Sequence, residues 1–92
     1  MIEGWGNKDA KDVFEGRAPR AVPADVLKRA RRVLTQLNAA AAIGDMASPP
    51  GNWLHKLSDG VTWAVSVNDK YRVTFTWGAT GPEDVWLGDY HD

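Results

Sequence analysis

VTWAVSVNDKYRVTFTW, residues 61–77, reads as two strands joined by a tight turn. Val61, Trp63, Val65 and Val67 alternate with Thr62, Ala64 and Ser66; beyond Asn68, Asp69 and Lys70, the residues Tyr71, Val73, Phe75 and Trp77 alternate with Arg72, Thr74 and Thr76. A period of two marks a half-buried strand, because successive side chains point to opposite faces. One face of this hairpin is therefore apolar, and the other carries an arginine and threonines. Downstream, GATGPED (78–84) is a longer turn into VWLGDY (85–90), where Val85 and Leu87 share one parity and Trp86 and Tyr90 the other. Upstream, SDG (58–60) is a turn signal that sets off NWLHKL (52–57) as a further strand. Residues 52–90 thus predict an antiparallel meander, to which MIEGW (1–5) is a candidate edge strand.

A sheet with one apolar face needs a second layer to cover it. Asn7 is placed to cap a short helix, with Ala10, Val13 and Phe14 at helical spacing and Gly16 as its stop. Pro23 at a first helical position and Asp25 in the first turn start a longer helix over 23–42. Its Val26, Leu27, Ala30, Val33, Leu34, Leu37 and Ala41 form one stripe, while Lys28, Arg31, Arg32, Gln36 and Asn38 lie off it. Gly44 and SPPG (48–51) break the pattern. The expected fold is α+β: two N-terminal helices packed on one face of a small, mainly antiparallel twisted sheet, all within one domain spanning 1–92.

The chain has no cysteine, which excludes a disulfide framework and thiol chemistry and removes the usual structural zinc clusters. No stretch is apolar enough for a signal-peptide core or a membrane span, so an unprocessed cytoplasmic protein with no membrane association is expected. The net charge of −1 hides an asymmetry: residues 8–32 hold eight Lys and Arg against four Asp and Glu, and residues 33–92 hold three against seven. The first half suits phosphate or an acidic protein partner; the second does not attract polyanions as a whole.

Few groups suit acid/base work near neutral pH: His55 and His91, with Asp89 and Tyr90 beside the second. His55 shares strand parity with Trp53 and Leu57, which predicts a packed or half-buried histidine, and Trp53, Trp63 and Trp77 fall at core parity. Arg72 on the polar strand face reads by default as a solvated or salt-bridged side chain. There is no metal-ligand spacing, glycine-rich phosphate loop or nucleophile elbow, and no cofactor is expected.

Four segments carry a family resemblance. VPADVLKRARRVLTQLNAA (22–40), PPGNWLHKL (49–57), VSVNDKYRVTF (65–75) and GDYHD (88–92) resemble, in that order, segments of the HigB-type toxins of the RelE/ParE superfamily. The resemblance implies an mRNA interferase that enters the ribosomal A site, cuts mRNA there, and is silenced by a HigA-type helix-turn-helix antitoxin, through which alone it reaches operator DNA. It implies that His55, Asp89, Tyr90 and His91 match the family's cleavage residues, and that Arg72, with Lys56 and Lys70, binds RNA phosphate. Such cleavage uses the 2′-hydroxyl as nucleophile and needs a base, an acid and cationic donors around the phosphate. The sequence does not divide the roles of base and acid between His55 and His91. The chain departs from the pattern at Ser58, in a shortened loop that usually carries lysine, and at Trp53, where a basic residue is usual. The superfamily also contains DNA gyrase inhibitors, and a toxin attenuated to an antitoxin-binding co-repressor is a further alternative.

Overall fold

The computed structural model describes residues 1–90, and two layers meet in it. The helical layer comprises α1 (Lys8–Phe14) and α2 (Ala24–Ala39), followed by the 3₁₀ helices Ile43–Ala47 and Pro50–Asn52. The sheet comprises β1 (His55–Lys56), β2 (Trp63–Ser66), β3 (Tyr71–Trp77) and β4 (Pro82–Asp89), antiparallel throughout in the order β1-β2-β3-β4. The N-terminal segment lies along β4 as a short parallel edge. Trp5 bridges Val85, the Gly6 N–H donates to the Val85 carbonyl at 2.7 Å, and the Val85 N–H donates to the Gly4 carbonyl at 3.1 Å.

A helix of seven residues is not stable alone, so its ends and sides must be tied down. Asn7 does two things at once. Its Oδ1 accepts from the Ala10 N–H at 3.1 Å, capping α1, and its amide pairs with β4, Nδ2 donating to the Leu87 carbonyl at 2.8 Å and Oδ1 accepting from the Leu87 N–H at 3.2 Å. At the other end Arg17 N–H bonds the Asp12 carbonyl and Gly16 N–H that of Val13, with Gly16 at φ 93°, a left-handed stop that a glycine adopts without strain. Arg31 then clamps the helices together, its Nε donating to the Val13 carbonyl at 3.0 Å.

The stripe of α2 meets the apolar face of the sheet. Val26, Ala30, Val33, Leu34 and Leu37 pack in one cluster with Val65, Val67, Val73, Phe75, Val85 and Leu87. Leu34 and Leu37 are wholly buried, each stabilising the fold by roughly 1.5–3 kcal/mol relative to an exposed side chain. Trp63 and Trp77 pack half-buried at the margin of this core, as their parity predicts.

The helix ends before the predicted residue 42, and the cause is local. Asp45 Oδ2 takes the N–H groups of Ala41 and Ala42 at 2.8 and 3.2 Å, giving them a partner outside a helix. Gln36 Nε2 donates to the carbonyls of Asp45 and Ser48, and the buried Asn52 Nδ2 lies within bonding distance of Gln36 Oε1, the Met46 carbonyl and the Ser48 carbonyl. This network folds residues 41–52 back over α2, so Ala41 is exposed instead of completing the stripe.

Candidate RNA-binding face

The register assigns every outer-face residue. His55 pairs with Ala64, Ala64 with Thr74, and Thr74 with Trp86, one row across all four strands. Ser66, Arg72 and Gly88 form the next such row. Tyr90, whose N–H donates to the Lys70 carbonyl at 3.3 Å, starts the one after. Directly opposed residues share a face, and the buried row Val65, Val73, Leu87 lies between the first two on the helix side. His55, Arg72, Trp86 and Tyr90 therefore all stand on the side of the sheet away from the helices.

Three expectations are corrected here. The strand predicted over 52–57 is the two-residue β1, because Trp53 adopts φ 51°, ψ 48° as the C-cap of the 3₁₀ helix Pro50–Asn52 and interrupts any extended run. Trp53 is then not core: it is 73% exposed. His55, with that parity broken behind it, is exposed instead of packed. Its Nδ1 lies 2.8 Å from the Trp53 carbonyl. A carbonyl can only accept, so Nδ1 is the donor in this contact, and whenever the ring is neutral its lone pair is on Nε2.

His55 and Tyr90 do not touch. Their positions differ by three strand spacings and four residues, about 14 Å across the sheet and about 13 Å along it. Arg72 lies between them, one row from each. Its Nη1 donates to the carbonyls of Asn68 and Tyr71, which anchors the guanidinium at the β2–β3 turn. Among the described residues neither Arg72 nor Arg29 has an acidic partner. Lys70 stands beside Tyr90 at the rim. Lys56 pairs with Trp63 on the other face, its ammonium 5.0 Å from that indole's centroid, and so is turned away from Arg72. Asp89 pairs with Tyr71, at the parity opposite to Tyr90. His91 lies outside the described residues.

Two outer-face features were not predicted from sequence. The first is a platform on β4: the Trp86 indole lies over Gly88 and meets Tyr90 edge-on, ring centroids 6.0 Å apart at 77°. The spacing Trp-x-Gly-x-Tyr on one strand face was its available signal. The second is a cleft of about 370 Å³ lined by Arg29, Gly51, Trp53, Ser66, Asn68, Asp69 and Arg72. It joins α2 to the β2–β3 turn, a juxtaposition that no local sequence pattern reveals. Among the described residues no group of three or more His, Cys, Asp or Glu is placed to hold a metal.

The perturbed carboxylates lie elsewhere and serve the frame. Asp59 is held below the ordinary carboxylate range by the Thr62 hydroxyl at 2.6 Å and by the N–H groups of Thr62 and Val61, bonds that close the turn before β2. Asp12 is lowered by Lys8 at 2.6 Å and, after opposition from desolvation, by Arg17 at 3.2 Å.

Two helices cover one face of an antiparallel meander, an α+β arrangement consistent with a RelE-like toxin fold, and the other face of this sheet carries arginine, imidazole and aromatics. A family model described as the RelE-like toxin of type II toxin-antitoxin system HigB matches residues 5–91, and the chain belongs to this HigB-like toxin family. It is thus the toxin of a type II system, whose counterpart is an antitoxin. No curated protein matches the chain. No helix among the described residues is long and apolar enough to cross a membrane.

Proposed function

We propose that this toxin is an endoribonuclease that cuts mRNA on the ribosome, acts in the cytoplasm, and is neutralised by a HigA-type helix-turn-helix antitoxin. The observation that carries the reading is the placement of His55: its Nδ1 faces the Trp53 carbonyl at 2.8 Å, so that in the neutral ring Nε2 is the acceptor, on the same open face as Arg72. In the proposed reaction the scissile phosphate lies over Arg72, which offers a bidentate fork to its oxygens and stabilises the charge that builds up there. The 2′-hydroxyl gives its proton to imidazole and attacks the adjacent phosphorus, forming a cyclic phosphate as the P–O5′ bond breaks. An acid on the opposite side protonates the leaving 5′-oxygen.

The separation across the sheet supports a division of labour. His55 flanks Arg72 on the β1 side and Tyr90 on the β4 side, so base and acid approach the phosphate from opposite directions, as in-line displacement requires. We assign the base to His55 and the acid to the C-terminal end of the sheet, to Tyr90 or His91. Trp86 and Tyr90 offer a surface on which a base can stack, and Lys70 takes a flanking phosphate. Translating extract programmed with a defined mRNA tests this: the toxin produces cuts within translated codons, and His55→Ala and Arg72→Ala abolish them. Toxicity that survives both substitutions, with intact mRNA, would instead indicate a protein target such as gyrase.

A further inference from the structure

We infer that Trp53, Arg29 and Arg72 form a single-nucleotide subsite for RNA, in which the Trp53 indole stacks on a base and the two guanidiniums hold its phosphate. This rests on the ribonuclease reading for its natural ligand, though not for its test. Trp53 is the observation that starts the argument. A tryptophan in the left-handed region is strained where glycine would not be, and at 73% exposure its ring adds little to the core. Neither backbone geometry nor packing accounts for a large aromatic at this position, whereas an exposed indole beside arginines is the arrangement that takes an unpaired base.

The cleft beneath it fits that ligand. Its volume, about 370 Å³, is that of a small-ligand site. Arg29 reaches it from α2, with Nη2 placed 3.5 Å from the position a side chain on Gly51 would take, and Arg72 reaches it from β3. Asp69 is the only carboxylate among the described lining residues, so two guanidiniums and one carboxylate leave a single positive charge, matching one phosphodiester. Asp69 also supplies an acceptor for a 2′-hydroxyl or a base amine. The subsite adjoins the proposed chemistry through one bond, because the Trp53 carbonyl is the group that orients His55.

The test uses the purified toxin and tetra-riboadenylate, followed by NMR of the indole N–H signals, with that of Trp53 identified by its loss in Trp53→Gly. The expected result is that the Trp53 signal moves on titration, and that Trp53→Gly and Arg29→Gln each weaken binding about tenfold, while Trp53→Phe retains most of it. Trp53→Gly should melt at or above the wild-type temperature, which a structural role for the ring would not allow. Binding within twofold of wild type in Trp53→Gly, or a Trp53 signal that stays still as the oligonucleotide binds, overturns the proposal. Loss with the arginine variants alone would mean a generic anion patch and overturns it equally. If Trp53-dependent binding is seen but mRNA stays intact in translating extract, the subsite stands and the ribonuclease reading falls; cleavage without Trp53-dependent binding gives the reverse.

Discussion

Gly88→Ala should be tolerated or not according to what occupies position 86. A Cβ at Gly88 would lie 2.5 Å from Trp86 Cη2 and 2.7 Å from Cζ2, against about 3.5–4.0 Å for a relaxed carbon contact. The indole must therefore retreat by about 1 Å or more. That disturbs its edge-on contact with Tyr90 at 6.0 Å, a type of pair worth about 0.5–1.5 kcal/mol, and adds overpacking of about 1–3 kcal/mol. Replacing glycine in a strand recovers about 0.5–1 kcal/mol. The net expectation is a loss of about 2 kcal/mol within a range of about 0.5–4, with Tm falling by about 4–8 °C for each kcal/mol. In a Trp86→Ala background the clash is gone, and the same substitution should stabilise by about 0.5–1 kcal/mol. Urea unfolding of the four proteins, followed by far-UV circular dichroism, gives a coupling of about 3 kcal/mol between the two positions. Equal effects of Gly88→Ala in both backgrounds, within about 0.5 kcal/mol, would refute the placement of the indole over Gly88 and with it the Tyr90 platform.

Asn7→Ala should cost about 2 kcal/mol in the same assay, above an ordinary cap loss, because it also removes the partner of the Leu87 backbone; a cost below about 0.5 kcal/mol would contradict the double role. Asp12 titrates below its ordinary value of 3.8 in the folded chain, chiefly through Lys8. The unfolded state therefore takes up this proton first as pH falls, so the contribution is present above pH 3.8 and is lost through the folded pKa. The stability difference between wild type and Asp12→Asn should shrink as unfolding is measured from pH 6 downward; a constant difference would show that the ion pairs do not act through titration. Binding of single-stranded RNA by Arg29 and Arg72 predicts a log Kd against log salt slope of about 0.7 per phosphate contact. Each arginine removed should flatten it by about that amount, as read by fluorescence anisotropy.

The architecture was legible where periodicity was long and uninterrupted. The alternation across 63–77 and the stripe from Val26 to Leu37 each repeat often enough to outweigh local exceptions, and both layers formed as they predict, except that Val61, at the start of the alternating run, lies outside β2 and is exposed. The helix end was not legible, because an alanine run carries no stop signal and the competing acceptor, Asp45, lies beyond it. Trp53 was misread for a related reason. Parity arguments assume an extended chain, and one left-handed residue after Pro-Gly-Asn removes that assumption, turning a supposed core tryptophan and a supposed packed histidine outward together. Arg29 was not legible because its place in one cleft with Arg72, brought there from a different layer, is a tertiary relation with no trace in spacing.

The most direct measurement of the central claim is mapping of mRNA 5′ ends in a reconstituted translation reaction with wild-type, His55→Gln and Arg72→Lys toxin. The account predicts cuts inside translated codons with wild type, loss of these cuts with His55→Gln, which removes the base, and a strong reduction with Arg72→Lys, which keeps the charge but not the bidentate fork. Undiminished cutting by His55→Gln, or intact message with the wild-type protein on actively translating ribosomes, would contradict it.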